Sequence, residues 1–170
     1  AKATILATGG AGQVYERNSN PKIATGDGVA MAHRAGAKIR DMEFIQFHPT
    51  AFNKKDAPSL LISEAIRGEG GILVNNKGEK FMENYHELKD LAPRDIVARA
   101  ILEEMKNGTV YLDIRHKGSA YIKKRFPYLY ESLWWHDIKM DKDLIPVSPA
   151  AHFICGGIHT DLQGQTNIPG

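Results

Sequence analysis

Several things are scarce in this sequence, and each scarcity excludes a class of protein. One cysteine, Cys155, in 170 residues excludes a disulfide framework and any multi-cysteine zinc or iron–sulfur site, and fits a reducing cytosol. No apolar run approaches the roughly 18 residues that a membrane helix needs, and the mean hydropathy is −0.35. There is almost no excess of charge of one sign. The 22 Lys and Arg against 20 Asp and Glu leave a net +2, too even to argue for nucleic acid or a membrane surface as partner. No signal peptide opens the chain, and there are no internal repeats or low-complexity tracts. No Gly-x-Ser-x-Gly motif supports a serine hydrolase. What remains is 42% hydrophobic and 25% charged, the ordinary globular mix, with room for one domain and a real core. The expectation is a soluble intracellular protein, or a piece of one.

The ends favour a piece. Ala3-Thr4-Ile5-Leu6-Ala7 begins almost at once and is closed by Gly9-Gly10-Ala11-Gly12. Such a run reads as a buried strand entering a glycine turn, and buried strands of this kind need neighbours on both sides. The other end stops just after a strand-like stretch, Gly157 to Thr160.

Between the ends, Thr25 to Ala37 reads as a turn and then a closely packed helix. Lys38 to Phe52 reads as extended, with Gln46 and His48 on one face and Pro49 ending the run. Ser59 to Arg67 is expected to be a short helix, and Asn75-Asn76-Lys77-Gly78 joins Ile72-Leu73-Val74 to Lys80-Phe81-Met82 as a hairpin. The strongest helix signal is Pro93 to Met105. Proline suits its first position, Asp95 its first turn and Gly108 its exit. Ile96, Val97, Ala100, Ile101 and Met105 form its apolar stripe. A strand at Val110 to Leu112, a helix around Ala120 to Arg125 and an aromatic segment follow. In that segment Trp134 and Trp135 are expected in the core. Pro146, Pro149 and Gly156-Gly157 mark a return to sheet. The fold class this implies is an α+β insert, roughly Asp41 to Phe153, flanked by two fragments of a larger α/β domain.

Few residues stand out for chemistry. Gly9 and Gly10 follow a strand-like run, so their loop could face a cofactor or be a structural turn. Asp27, between two glycines, could meet a ribose or cofactor amide, or cap the next helix. Gln46 and His48 share a face at the end of an extended run, where a ligand could meet both. A hydrogen-bonded structural histidine is the plainer alternative. Arg94 stands in the first turn of the best helix, where the positive end of the dipole disfavours a cation. A site that binds a carboxylate would resolve the conflict, and so would an ion pair with Asp95 or Glu87. His152 lies in a stretch with little freedom. A zinc site of Cys155, His152 and His159 lacks a fourth ligand and the usual spacing, so no metal is expected. His33, His86, His116 and His136 read as surface or packing residues. Histidines, arginines and a hydroxyl, without a metal set or nucleophile, suit binding of a small dianion beside an organic cofactor.

In sequence order the chain holds Ala7-Thr8-Gly9-Gly10-Ala11-Gly12, Thr25-Gly26-Asp27-Gly28 and Glu43-Phe44-Ile45-Gln46-Phe47-His48-Pro49-Thr50. It continues with Ser63-Glu64-Ala65-Ile66-Arg67-Gly68-Glu69-Gly70-Gly71, Leu91-Ala92-Pro93-Arg94-Asp95-Ile96-Val97-Ala98-Arg99 and Pro149-Ala150-Ala151-His152-Phe153-Ile154-Cys155-Gly156-Gly157. From end to end this resembles the succinate dehydrogenase/fumarate reductase flavoprotein family. The Ser-Glu-Ala-Ile-Arg and Pro-Ala-Ala-His-Phe-Ile-Cys-Gly-Gly stretches favour its aspartate-oxidising branch over the respiratory one.

The resemblance implies an FAD domain interrupted by a capping domain that closes over a dicarboxylate. Residues 41–153 would be the cap, with 1–40 and 154–170 as fragments of the FAD domain. Asp27, Gly9 and Gly10 would contact non-covalent FAD, most of whose site lies outside this chain. His48 and His152 would hold the carboxylates of L-aspartate or a fumarate-type dicarboxylate. Ser63 would add a hydroxyl, and Gln46 would lie near the flavin. Arg94 takes the position of the family's proton donor or acceptor. An arginine is an unusual acid/base, so a carboxylate-holding role stays open beside it. The implied reaction passes a hydride from L-aspartate to the flavin, giving iminoaspartate, with oxygen or fumarate as final acceptor, at the start of NAD synthesis in the cytoplasm. A fumarate reductase or succinate dehydrogenase flavoprotein subunit is the alternative, and an inert capping module another. Ser63 departs from the threonine common in relatives but keeps the hydroxyl. The strand–turn–helix that grips the ADP part of FAD is absent, so the chain alone is expected to bind FAD weakly and not to turn over.

Overall fold

The computed structural model describes residues 2–170. The chain divides into two units, Ala1–Phe47 with Ala151–Gly170, and His48–Ala150. The chain passes between them inside two strands, β2 (Ile45–Phe52) and β5 (Ile145–Ile154).

In the first unit, helix α1 (Asp27–Arg34) starts behind Gly26, whose φ of 84° suits glycine alone at little cost. Its first turn carries Asp27 and its last turn His33 and Arg34, an arrangement that complements the helix dipole at both ends. A short antiparallel ladder pairs β1 (Ile39–Arg40) with β6 (Gly157–Ile158). Beside that ladder the chain leaves no room for a side chain at Gly156. A Cβ there would sit 2.2 Å from the Asp41 carbonyl carbon. Gly156→Ala is therefore expected to force the backbone apart and lower stability by about 1–3 kcal/mol. Urea denaturation of the two proteins would measure it, and a midpoint unchanged within error would refute the packing argument.

Ala3 to Ala7 is a correction. The expected buried strand carries no ladder hydrogen bonds, and Ile5 is 91% exposed. A strand is stable only with a partner, and among the described residues none runs beside this one. The segment is instead seated by Thr8, whose side chain fills the space that a Cβ on Gly28 would need.

The second unit holds the main core. Its sheet has the order β2–β5–β4–β3, with β3 at Ile72–Val74 and β4 at Val110–Asp113. Both β3–β4 and β4–β5 are antiparallel. Leu73, Leu112, Ile145 and Val147 are fully buried there, and Ile62, Ile66, Val97, Ile101, Ile122 and Leu133 pack with them. Helix α3 (Arg94–Met105) follows Pro93 and buries Val97, Ala98, Ala100 and Ile101. Ile96 and Met105 flank the core, half-buried. Helix α4 (Ser119–Arg125) matches the helix expected there.

Three expectations in this unit are corrected. Pro49 does not end β2, which runs on to Phe52. The strand lies at the edge of the sheet, where the N–H that proline lacks is not missed. The helix expected from Ser59 is only α2 (Ala65–Gly68). Upstream the chain is extended, with Leu61 opposite Ala51 and the Ile62 N–H bonded to the Thr50 carbonyl. An apolar stretch beside an open strand edge pairs with it rather than coiling. Of the hairpin, β3 and the turn at Asn75–Gly78 are present, but Lys80 makes a single bridge to Val74 and Met82–Asn84 is a 3-10 turn.

Trp134 and Trp135, at the end of helix α5 (Pro127–Trp134), are not core residues. They are 51% and 70% exposed and stack edge to face at 5.4 Å. The core-facing positions of α5 are taken by Leu129 and Leu133, four apart on one face, which turns the tryptophans outward.

Candidate functional site

In the second unit Arg94 meets Glu64, which the sequence reading did not select. Its carboxylate bridges two arginines. Arg94 donates Nε and Nη2 to Oε2 at 3.1 and 2.9 Å. Arg67 donates Nη2 to Oε1 at 2.7 Å. The ion pair seen at Arg94 is thus with Glu64. Asp95 is taken by Arg99, one helical turn on. Two cations on one carboxylate hold the Glu64 carboxyl below its ordinary range, with the Arg94 hydrogen bond as the largest cause and partial burial opposing it.

Arg67 is the anchor of this cluster. Its side chain is 1% exposed, and burial pulls its guanidinium below the ordinary value while Glu64 opposes. Nη1 donates to the backbone carbonyl of Asp90, and Nε is buried without a hydrogen-bond partner. Arg94 itself is half-buried, 33% exposed. It is the first residue of α3, where free backbone N–H groups and its guanidinium share one end of the helix. That end of the unit attracts anions.

His48 is 1% exposed in β2, and its Nδ1 accepts the Thr50 N–H at 3.2 Å. That bond fixes the tautomer with the proton on Nε2. Ser63 Oγ accepts the Ala65 N–H at 3.2 Å, opening α2. Continuing the Ala51–Leu61 register by two residues sets Ser63 opposite Pro49, next to His48.

In the first unit, His152 Nδ1 lies 2.7 Å from Ser19 Oγ, and its carbonyl accepts from Asn20. A cavity of about 520 Å³ is lined in part by Gly9, Gly10, Gly156 and Gly157, with Arg40 and Asp41 also at its wall. A Cβ on Gly9 or Gly10 would meet nothing within 4 Å. The bare backbone there is left open rather than packed away. A cavity of this size, with bare glycine backbone in its wall, is large enough for part of an organic cofactor. Asp27 is exposed on the first turn of α1 and is not among the residues lining that cavity. Gln46 is exposed on β2. No group of His, Cys, Asp or Glu suited to a metal ion occurs among the described residues.

Residues 1–170 match the model of the FAD binding domain family along their whole length. The chain belongs to that family. Among curated proteins it is 53% identical over 173 residues to "L-aspartate oxidase 1" of Ralstonia nicotianae, covering 100% of this chain and 32% of that protein. It is 49% identical over 171 residues to an L-aspartate oxidase of Vibrio cholerae, covering 99% of this chain and 32% of that one. The chain thus spans about a third of the length of these relatives. Among solved structures, a quinol-fumarate reductase with menaquinol molecules superposes with a TM-score of 0.87 at 39% identity, over 96% of this chain and 32% of that one. The Mycobacterium smegmatis Sdh1 complex with UQ1 follows with a TM-score of 0.78 at 42% identity, over 95% and 28%. The mixed helix-and-sheet fold is thus that of fumarate reductase and succinate dehydrogenase flavoproteins. No helix among the described residues is long and apolar enough to cross a membrane.

Proposed function

We propose that this chain is part of an FAD-dependent L-aspartate oxidase, which converts L-aspartate to iminoaspartate in the synthesis of NAD in the cytoplasm. Arg94 carries the reading. A guanidinium at the N-terminus of α3, bound by the Glu64 carboxylate and half-open to solvent, is suited to meet an anionic substrate. The curated relatives named as L-aspartate oxidases along the whole chain support aspartate as that substrate.

Residues 41–153 are assigned as the capping domain, and 1–40 and 154–170 as parts of the FAD domain, the rest of which completes the cofactor site. Gly9, Gly10 and Asp27 are assigned to FAD, with Gln46 towards the flavin. When bound, FAD supplies the two-electron acceptor for the hydride leaving the substrate Cα. His48 and His152 are assigned to the substrate carboxylates and Ser63 to a hydrogen bond beside them. Arg94 is assigned to proton exchange with the substrate, or to holding a carboxylate. Holding a carboxylate, or giving a proton, uses the charged guanidinium, whereas taking a proton needs its neutral form; either role needs the group close to substrate and free of competing water.

The structural likeness to fumarate reductases supports a second reading, in which succinate or fumarate replaces aspartate. The two separate in one experiment. The purified holoenzyme carrying this chain is mixed anaerobically with L-aspartate and with succinate. Loss of flavin absorbance with aspartate is expected. Loss with succinate alone would move the protein to the second reading, and loss with neither would end the oxidase assignment.

A further inference from the structure

Arg94 owes its place to a turn that lies just before it in the chain. The 3-10 turn Lys89–Leu91 leads through Ala92 and Pro93 into α3. It is strained: Lys89 has a φ of 49°, the left-handed region that a long side chain avoids. Strained turns persist only where their surroundings hold them, and here both holds converge on Asp90. Its backbone carbonyl accepts from Arg67 Nη1. Its carboxylate Oδ1 accepts the Leu73 N–H of β3 at 2.7 Å.

We propose that Asp90 is a positioning residue for Arg94, pinning the turn to β3 and to Arg67 so that the Arg94 guanidinium meets Glu64 in one orientation. The two ends of the device are close in the chain, since Arg94 follows Asp90 by four residues. They close a loop through Arg67 and Glu64, so the guanidinium is fixed from the helix side and from the carboxylate side at once. Placing a carboxylate there is unfavourable. Burial pushes the Asp90 carboxyl above its ordinary value, against the pull of the Leu73 N–H and the Arg67 charge. A half-buried carboxylate that is costly where it stands yet holds a strained turn is better explained by placement than by folding energy.

The consequence for the reaction rests on the reading of Arg94 given above. The test uses the holoenzyme carrying this chain. Asp90→Ala is expected to lower kcat for aspartate oxidation by about 10²-fold, the scale of an ångström of misplacement, with KM little changed. Asp90→Asn keeps an acceptor for the Leu73 N–H and is expected to restore most of the rate. In an Arg94→Ala background the Asp90→Ala change should slow the reaction no further, although its effect on stability persists. Asp90→Ser, too short to span to Leu73, replaces the alanine variant if that one does not fold.

The NMR signal of the Arg94 Nε–H gives a readout independent of activity. It is expected to be protected from solvent exchange in the wild type and in Asp90→Asn, and to lose protection in Asp90→Ala. If Arg94→Ala leaves the rate intact, the reading of Arg94 fails, and the Nε–H signal still decides whether Asp90 positions it. Unchanged protection in Asp90→Ala, an equal loss of rate in both backgrounds, or an asparagine variant as slow as the alanine one would overturn the proposal.

Discussion

Replacing Glu64 with alanine is expected to lower stability by about 3–5 kcal/mol, the cost of stripping the partner from a buried charge. Arg67 lies beneath it with its side chain 1% exposed, and Glu64 is its one ion-pair partner among the described residues. The Asp90 carbonyl that remains is a neutral acceptor, worth about half a charged one. For a chain of this size the loss corresponds to a fall in melting temperature of about 10 °C, measurable by thermal unfolding followed by circular dichroism. Glu64→Gln, which keeps a side-chain oxygen but not the charge, should fall between the two.

The same comparison has a predicted pH dependence. The folded Glu64 carboxyl lies below its ordinary value, so the unfolded state binds its proton first. Its contribution is present above the ordinary carboxylate range and is lost as pH falls through the lowered folded value. The stability gap between wild type and Glu64→Gln should narrow over that acid window. A gap that stays constant, or a loss below about 1 kcal/mol for the alanine variant, would show that Arg67 does not depend on this partner.

Arg94 should show the opposite pattern. Its side chain is 33% exposed and its partner 43% exposed, so solvent screens the pair and its removal is expected to cost no more than about 1 kcal/mol. The effect on reaction should be large. Loss of a group that moves a proton in the rate-determining step lowers the rate by about 10²–10⁴-fold. Arg94→Ala in the holoenzyme is therefore expected to slow anaerobic flavin reduction by L-aspartate by that factor, at nearly wild-type stability. Arg94→Lys keeps the charge but loses the planar fork that binds Glu64 through Nε and Nη2, and should recover little. A rapid-mixing experiment with flavin absorbance as readout measures all three proteins. Reduction of Arg94→Ala at the wild-type rate would leave Arg94 a structural residue. If the rate fell only in step with stability, its effect would be on folding.

Much of the local structure could be read in the chain. Helix α3 was legible because Pro93, Asp95, a 3.6-residue apolar period and Gly108 all point the same way. Strand β4 was legible as a short apolar run after a glycine. Arg94 was legible as a candidate because a cation at the positive end of a helix is a local conflict, visible without any partner. The elements that were misread depended on neighbours. Ala3 to Ala7 carries a strand's composition but no second strand to bond. Pro49 is tolerated because β2 is an edge strand. Trp134 and Trp135 face outward because Leu129 and Leu133 take the core side of α5.

Glu64, Arg67 and Asp90 show the same division within the site. Glu64 and Arg67 lie in a stretch notable only as a family motif, and nothing in local period or turn signals marks any of the three for the site. Their partners are 30 residues away for Glu64 with Arg94 and 23 for Arg67 with Asp90. The sequence by itself determined the helix starts, the apolar stripes, the glycine turns and the one misplaced cation, because those depend on interactions within a few residues. The tertiary structure alone decided which carboxylate answers that cation, which arginine is buried beneath it, and which turn holds the pair in place. A charge selects its partner by distance and burial, and both are set only when the core closes.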